Sequence, residues 1–96
     1  MIYVISYDLP RGLFGRSPQS LYNELAASRG WCHYLEKTWL ISTVESIENL
    51  YQRLSPHLDD RDKILITELT RTYYGALPDE AWEWIEERIR DGEIES

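Results

Sequence analysis

Basic residues are scarce in this sequence. Ten lysines and arginines face seventeen aspartates and glutamates, for a formal net charge of −7 over 96 residues. Proteins that grip nucleic acid without sequence preference usually carry a basic surface. The composition argues against that behaviour and leaves room only for a local basic patch. The acidity is also uneven. Residues 79–96 hold eight acids and two bases, a net −6, so residues 1–78 carry only −1. Cysteine occurs once, at Cys32, which excludes an internal disulfide, and no second Cys–His pair exists for a zinc site. No run approaches the eighteen or so apolar residues of a membrane span. No basic stretch followed by an apolar one marks a secretory leader, and the first strand begins at the first residues. The expectation is a cytoplasmic protein with no membrane attachment. Gly12 and Gly15 are not followed by Gly-Lys-Ser/Thr, so no phosphate loop is present.

What remains is ordinary globular material: 43% hydrophobic and 28% charged residues, without repeats or low-complexity tracts. The length predicts a single domain over residues 1–96. A chain of this size often gains stability by pairing with a second copy.

The opening stretch, Met1-Ile-Tyr-Val-Ile-Ser-Tyr-Asp8, organises the rest. Ile2, Val4, Ser6 and Asp8 alternate with Tyr3, Ile5 and Tyr7, and both sides are apolar before Ser6. That pattern fits a central strand covered on both faces. The strand runs to about Leu9, and Pro10 to Arg16 form a loop containing Gly12 and Gly15. Leu13 and Phe14 inside it read as a plug over the core. Ser17 and Pro18 start a helix with Leu21, Tyr22, Leu25 and Ala26 as its apolar stripe, and Gly30 is its C-terminal stop. Residues 31–35 and 38–44 read as strands, with Glu36 and Lys37 as a turn or a bulge. Ser46 caps a second helix whose buried stripe is Ile47, Leu50, Tyr51 and Leu54. Asp59 to Asp62 lack the spacing of a calcium loop and read as a solvated turn. Residues 63–70 form the last core strand, and residues 71–75 extend it with Tyr73 and Tyr74 as an aromatic edge. Leu77-Pro-Asp-Glu80 opens an acidic C-terminal helix over about 78–91, with Ala81, Trp82, Ile85 and Ile89 on one side. The order β-α-β-β-α-β plus a helix predicts an α+β fold of the ferredoxin-like kind.

Tyr7-Asp8 at the end of the first strand, the Glu36-Lys37-Thr38-Trp39-Leu40 stretch, and the helix and strand from Ser46 to Leu69 together resemble a known family. It comprises the small CRISPR-associated ferredoxin-like proteins that pair with the spacer-acquisition integrase. The virulence-associated protein D toxins share the pattern. A group of short uncharacterised proteins with a Trp-rich middle and a Leu-Pro-Asp/Glu-Glu-Ala-Trp-like helix is more similar still. The resemblance covers residues 1 to about 70. It implies a homodimer in which the strand-end aspartates approach a twofold axis and can hold a divalent metal. Some members are metal-dependent nucleases and others are scaffolds. The sequence departs from that pattern in lacking an Arg-rich start to the first helix and in ending on an acidic helix.

The expected site therefore centres on Asp8 as catalytic residue and metal ligand for Mg²⁺ or Mn²⁺. Arg11 and Arg16 are the expected phosphate-binding residues on RNA or DNA. Tyr73 and Tyr74 are the expected dimer contacts. Two functions stand side by side: a metal-dependent endonuclease, with RNA the favoured substrate, or a catalytically silent dimeric adaptor for a protein partner. Asp8 can equally serve as a local cap of its loop. His33 reads as a partly buried sheet histidine, and His57 as an exposed loop residue.

Overall fold

A computed structural model describes residues 1–10 and 17–93. Four strands form one antiparallel sheet: β1 (Ile2–Asp8), β2 (Gly30–Leu35), β3 (Thr38–Ser42) and β4 (Lys63–Glu68). Their spatial order is β2-β3-β1-β4. Helices α1 (Gln19–Ala26) and α2 (Ile47–Leu54) connect them, a 3-10 turn covers Ser55–His57, and α3 (Asp79–Arg90) follows. This is the ferredoxin-like α+β arrangement, with β1 and β3 as central strands. The described helices include none long and apolar enough to cross a membrane.

The period-2 pattern of β1 sorts its side chains onto two cores. Tyr3, Ile5 and Tyr7 join Trp39 and Ile41 of β3, Leu21 and Leu25 of α1, and Leu50 and Leu54 of α2. On the opposite face, Ile2 packs with Leu40 and Leu69 against Trp82, Trp84, Ile85 and Ile89 of α3. The main helices thus lie on one face and the C-terminal helix on the other. β1 is buried on both sides at its start and emerges at Asp8.

Ser46 caps α2 as its sequence predicts, its Oγ accepting the Asn49 N–H at 3.2 Å. Ser17 Oγ accepts the Gln19 N–H at 3.2 Å, and the regular part of α1 begins one residue later than expected. Gly30 has a different role from the expected helix stop. The helix has ended at Ala26, and Gly30 is the first residue of β2. A Cβ there would meet Ser42 Cβ at 3.2 Å and the Trp84 ring at 3.7 Å. Gly30 therefore lets α3 approach the sheet closely.

Two further expectations are corrected. The strand over residues 71–75 does not form: β4 ends at Glu68 because β1 has no residue left to pair, the last bond being Leu69 N–H to Ile2 O at 2.8 Å. Tyr73 turns instead onto Trp82, with ring centroids 6.1 Å apart, and Tyr74 is fully exposed. Tyr51 is also 48% exposed, because the side of α2 next to β4 is left open. The expected loop features Leu13 and Phe14 lie outside the described residues.

One polar knot ties the helical layer. Arg53 of α2 donates to Glu24 O at 2.8 Å and Glu24 Oε1 at 3.1 Å. It also donates to Ser28 Oγ at 2.9 Å and to the Glu45 carboxylate at 3.0–3.2 Å. His57 is only partly exposed, since its Nε2 lies 3.6 Å from Glu24 Oε2. Asp59 and Asp62 form a closed turn, with the Asp59 N–H donating to Asp62 Oδ2 at 2.7 Å.

Candidate functional site

The charged end of the sheet is built by register. Asp8 closes β1 and stands opposite Lys63, the first residue of β4. The Tyr7 N–H donates to Lys37 O at 3.1 Å, which brings the β2–β3 turn alongside. Lys37 Nζ then lies 3.9 Å from Asp8 Oδ1, with the two side chains 64% and 68% exposed. Asp8 is thus a solvent-facing carboxylate with the Lys37 ammonium beside it and Lys63 as its cross-strand partner. Arg11 and Arg16 lie outside the described residues.

Beneath this rim, on the helical face, is an aromatic wall. Trp39 Nε1–H donates to Tyr7 Oη at 2.9 Å, and Tyr7 Oη donates to Glu36 O at 3.4 Å. Burial is the main reason the Tyr7 hydroxyl is pushed up to about 12, so it stays protonated across the physiological range. His33 stacks on Trp39 with centroids 4.1 Å apart, and its Nε2 lies 3.2 Å from Glu36 O. That carbonyl accepts only a protonated nitrogen, which places the histidine proton on Nε2. His33 is a half-buried sheet histidine engaged with its own turn, as expected.

The residues were tested for a divalent cation by their chemistry. Among the described residues, Asp8 has the Lys37 ammonium beside it and Lys63 opposite it in the ladder. Among the described residues, no three His, Cys, Asp or Glu groups cluster in a way that could hold a metal ion. Neighbouring ammonium groups oppose a divalent cation. The described residues of one chain therefore do not fit the metal that the family resemblance implies. The arrangement can engage an anionic group through Lys37 and Lys63, or a cationic one through Asp8. Both lysines escape a linear reading. Only the strand register puts them beside Asp8, and the clue in the sequence is their place at strand boundaries.

The sheet face bearing Asp8 is only partly covered. α3 protects the end near Ile2, Cys32 and Leu40, and Cys32 is buried. Burial raises the pKa of its thiol. The face opens at both edges: Leu65 on β4 is 65% exposed, and Tyr34 and Leu35 at the end of β2 are also exposed. An apolar-lined hollow of about 100 Å³ lies between Val4, Tyr34, Leu35 and Thr38 and Ala81 of α3. Of the two tyrosines expected at a dimer contact, Tyr73 is taken up within the chain and Tyr74 stays free at the rim of an apolar pocket shared with Leu35 and Leu77.

Comparison with known proteins finds no matching family model, no matching curated protein and no matching solved structure.

Proposed function

We propose that this chain acts as a dimeric binding module, an adaptor whose self-association uses the half of the sheet face that α3 leaves bare. The observation that carries this reading is the exposure of Tyr34, Leu35 and Tyr74 on the β2 side of this face and of Leu65 at its β4 edge. Apolar side chains grouped on an open sheet face favour burial against a second surface. The acidic outer side of α3 stays in solvent in such an assembly and keeps it from nucleic acid. Light scattering at about 10 µM protein is expected to give a dimer. Leu65→Glu is expected to give a folded monomer, because the side chain is exposed in the isolated chain. A wild-type monomer at that concentration refutes the reading.

A second reading is favoured by the position of Asp8. It lies on the same face as the bare strip, at its rim, with Lys37 and Lys63 alongside. In a face-to-face pair, two such rims can approach and present two carboxylates and four lysines. This is the geometry that a nuclease reading, with Asp8 from each subunit, requires. The expected result is cleavage of single-stranded RNA in the presence of Mg²⁺ or Mn²⁺, lost in a folded Asp8→Asn variant. Equal melting shifts with metal in wild type and Asp8→Asn would remove Asp8 from any shared site.

A further inference from the structure

The outer edge of β4 and the flank of α2 form a second surface, distinct from the bare sheet face. Between them runs a groove of about 460 Å³ lined by Ile47, Glu48, Tyr51, Gln52, Ile64, Leu65 and Ile66. We propose that this groove takes an extended peptide of alternating apolar residues with a cationic N-terminal end, which adds to the sheet as a fifth strand antiparallel to β4.

Backbone geometry gives the first argument. Among the described residues, β4 is an edge strand paired with β1 alone. The Leu69 N–H bonds to Ile2 O, which fixes the alternation along the strand. Residues of the same parity, Lys63, Leu65 and Thr67, turn their backbone groups towards β1. Ile64, Ile66 and Glu68 therefore turn N–H and C=O outward. Each offers one donor and one acceptor to an incoming strand.

Side-chain placement gives the second. Ile64 and Ile66 point to the helical face, where they meet Ile47 and the half-exposed Tyr51 across the groove. Alternate residues of an added strand would project into this apolar trough. The intervening residues would lie beside Leu65 on the opposite face.

Charge sets the occupant and its direction. Glu48 sits at the groove end where α2 begins, and Glu68 closes β4 at the same end. Neither has an ion-pair partner among the described residues. Both carboxylates reach Tyr3, whose hydroxyl pKa is raised first by burial and then by Glu68, Glu48 and Glu45. Lys63 stands at the other end of β4. A strand antiparallel to β4 brings its N-terminal end to the acids and its C-terminal end to the lysine. A parallel strand reverses both pairings, so the charges select the antiparallel direction.

The probe is a fluorescein-labelled ten-residue peptide of alternating valine and threonine with two lysines at its N-terminus. Fluorescence anisotropy with the full chain is expected to saturate with a Kd on the order of 10–100 µM. Amide exchange at Ile66 and Glu68 should slow on binding, while that at Leu65 and Thr67 changes little. Glu48→Lys with Glu68→Lys should weaken binding about fivefold to tenfold. A peptide with glutamates in place of lysines should regain it on that variant. N-methylation of the peptide amides facing β4 should abolish binding. No saturation by about 1 mM, or binding indifferent to both charge reversal and N-methylation, overturns the proposal. So does loss of self-association in the double charge variant, since the occupant is then a second copy. Leu35→Glu acts on the bare face at the opposite edge of the sheet from the groove, so a dimer that fails while the peptide still binds separates this inference from the adaptor reading.

Discussion

Replacing Arg53 by methionine keeps the aliphatic stem and removes every polar contact of the guanidinium. The change unties the C-terminal half of α1, the turn at Ser28 and the Glu45 turn from α2, because Arg53 alone bonds to all three. Breaking a fully buried ion pair costs about 3–5 kcal/mol and an exposed one about 0–1 kcal/mol. The Arg53 side chain is 23% exposed. That places the expected loss at about 2–3 kcal/mol, or a fall in Tm of roughly 10–20 °C for a domain of this size. The loss depends on pH. Glu45 is held below the usual carboxylate range, chiefly by its hydrogen bonds from Arg53. A carboxyl with a depressed folded pKa binds fewer protons when folded. Its stabilisation is full above the unfolded value of about 4.3 and disappears as pH falls through the folded value. Wild type therefore loses this contribution as pH falls below about 4.3 and on through the lowered folded value, and Arg53→Met lacks the part that Arg53 supplies. Thermal melts at pH 7 and pH 3 should show the gap between the two proteins narrowing in acid. A gap below about 4 °C at pH 7, or one unchanged at pH 3, refutes the reasoning.

Three other outcomes follow from the packing. Gly30→Ala is expected to destabilise by about 1–3 kcal/mol in urea denaturation, because the new methyl presses on Ser42 and Trp84. Gly30→Asn, which a left-handed helix cap tolerates, should be no milder. Tyr7→Phe strands the buried indole N–H of Trp39 and should cost about 1–3 kcal/mol; a loss under about 0.5 kcal/mol would mean the indole finds another partner. Cys32 should react with a disulfide reagent far more slowly than a free thiol, because it is buried and its thiol pKa is raised. Ile85→Ala, which loosens α3, should speed that reaction about tenfold.

The topology was legible because local signals agreed with the fold. Ser46 before an apolar stripe, Pro78 before two acids, and the two-sided apolar run of β1 each fixed an element within a residue or two. The misreadings share one cause: each concerns a residue whose role is set by a distant neighbour. Gly30 resembles a helix stop in sequence, and only the approach of α3 gives it another task. Tyr73 and Tyr74 carry strand propensity, but β1 is exhausted at Ile2 and Trp82 offers a competing surface. Tyr51 has helical core spacing, yet α2 sits at the sheet edge and leaves that flank open. In the candidate site, the strand-end position of Asp8 was readable from the alternation and the break at Pro10. Its neighbours Lys37 and Lys63 depend on two strand registers, and Arg53 depends on loops far from it in sequence.

The central position of β1 has a consequence for how the chain assembles. Its odd residues bond towards β3 and its even residues towards β4, whose partners lie some sixty positions further along. A hairpin of β2 and β3 can form early from local contacts, and β1 can join it. Until Lys63 to Glu68 arrive, one whole side of β1 is an unpaired edge flanked by apolar side chains. Such an edge is a template for wrong pairing. Closure of the last strand is also the contact with the largest loop entropy, so it should limit the folding rate. Mutations within β4 should then slow folding as well as hasten unfolding, and crowded or slow synthesis should penalise this chain at the step when its last strand is still missing.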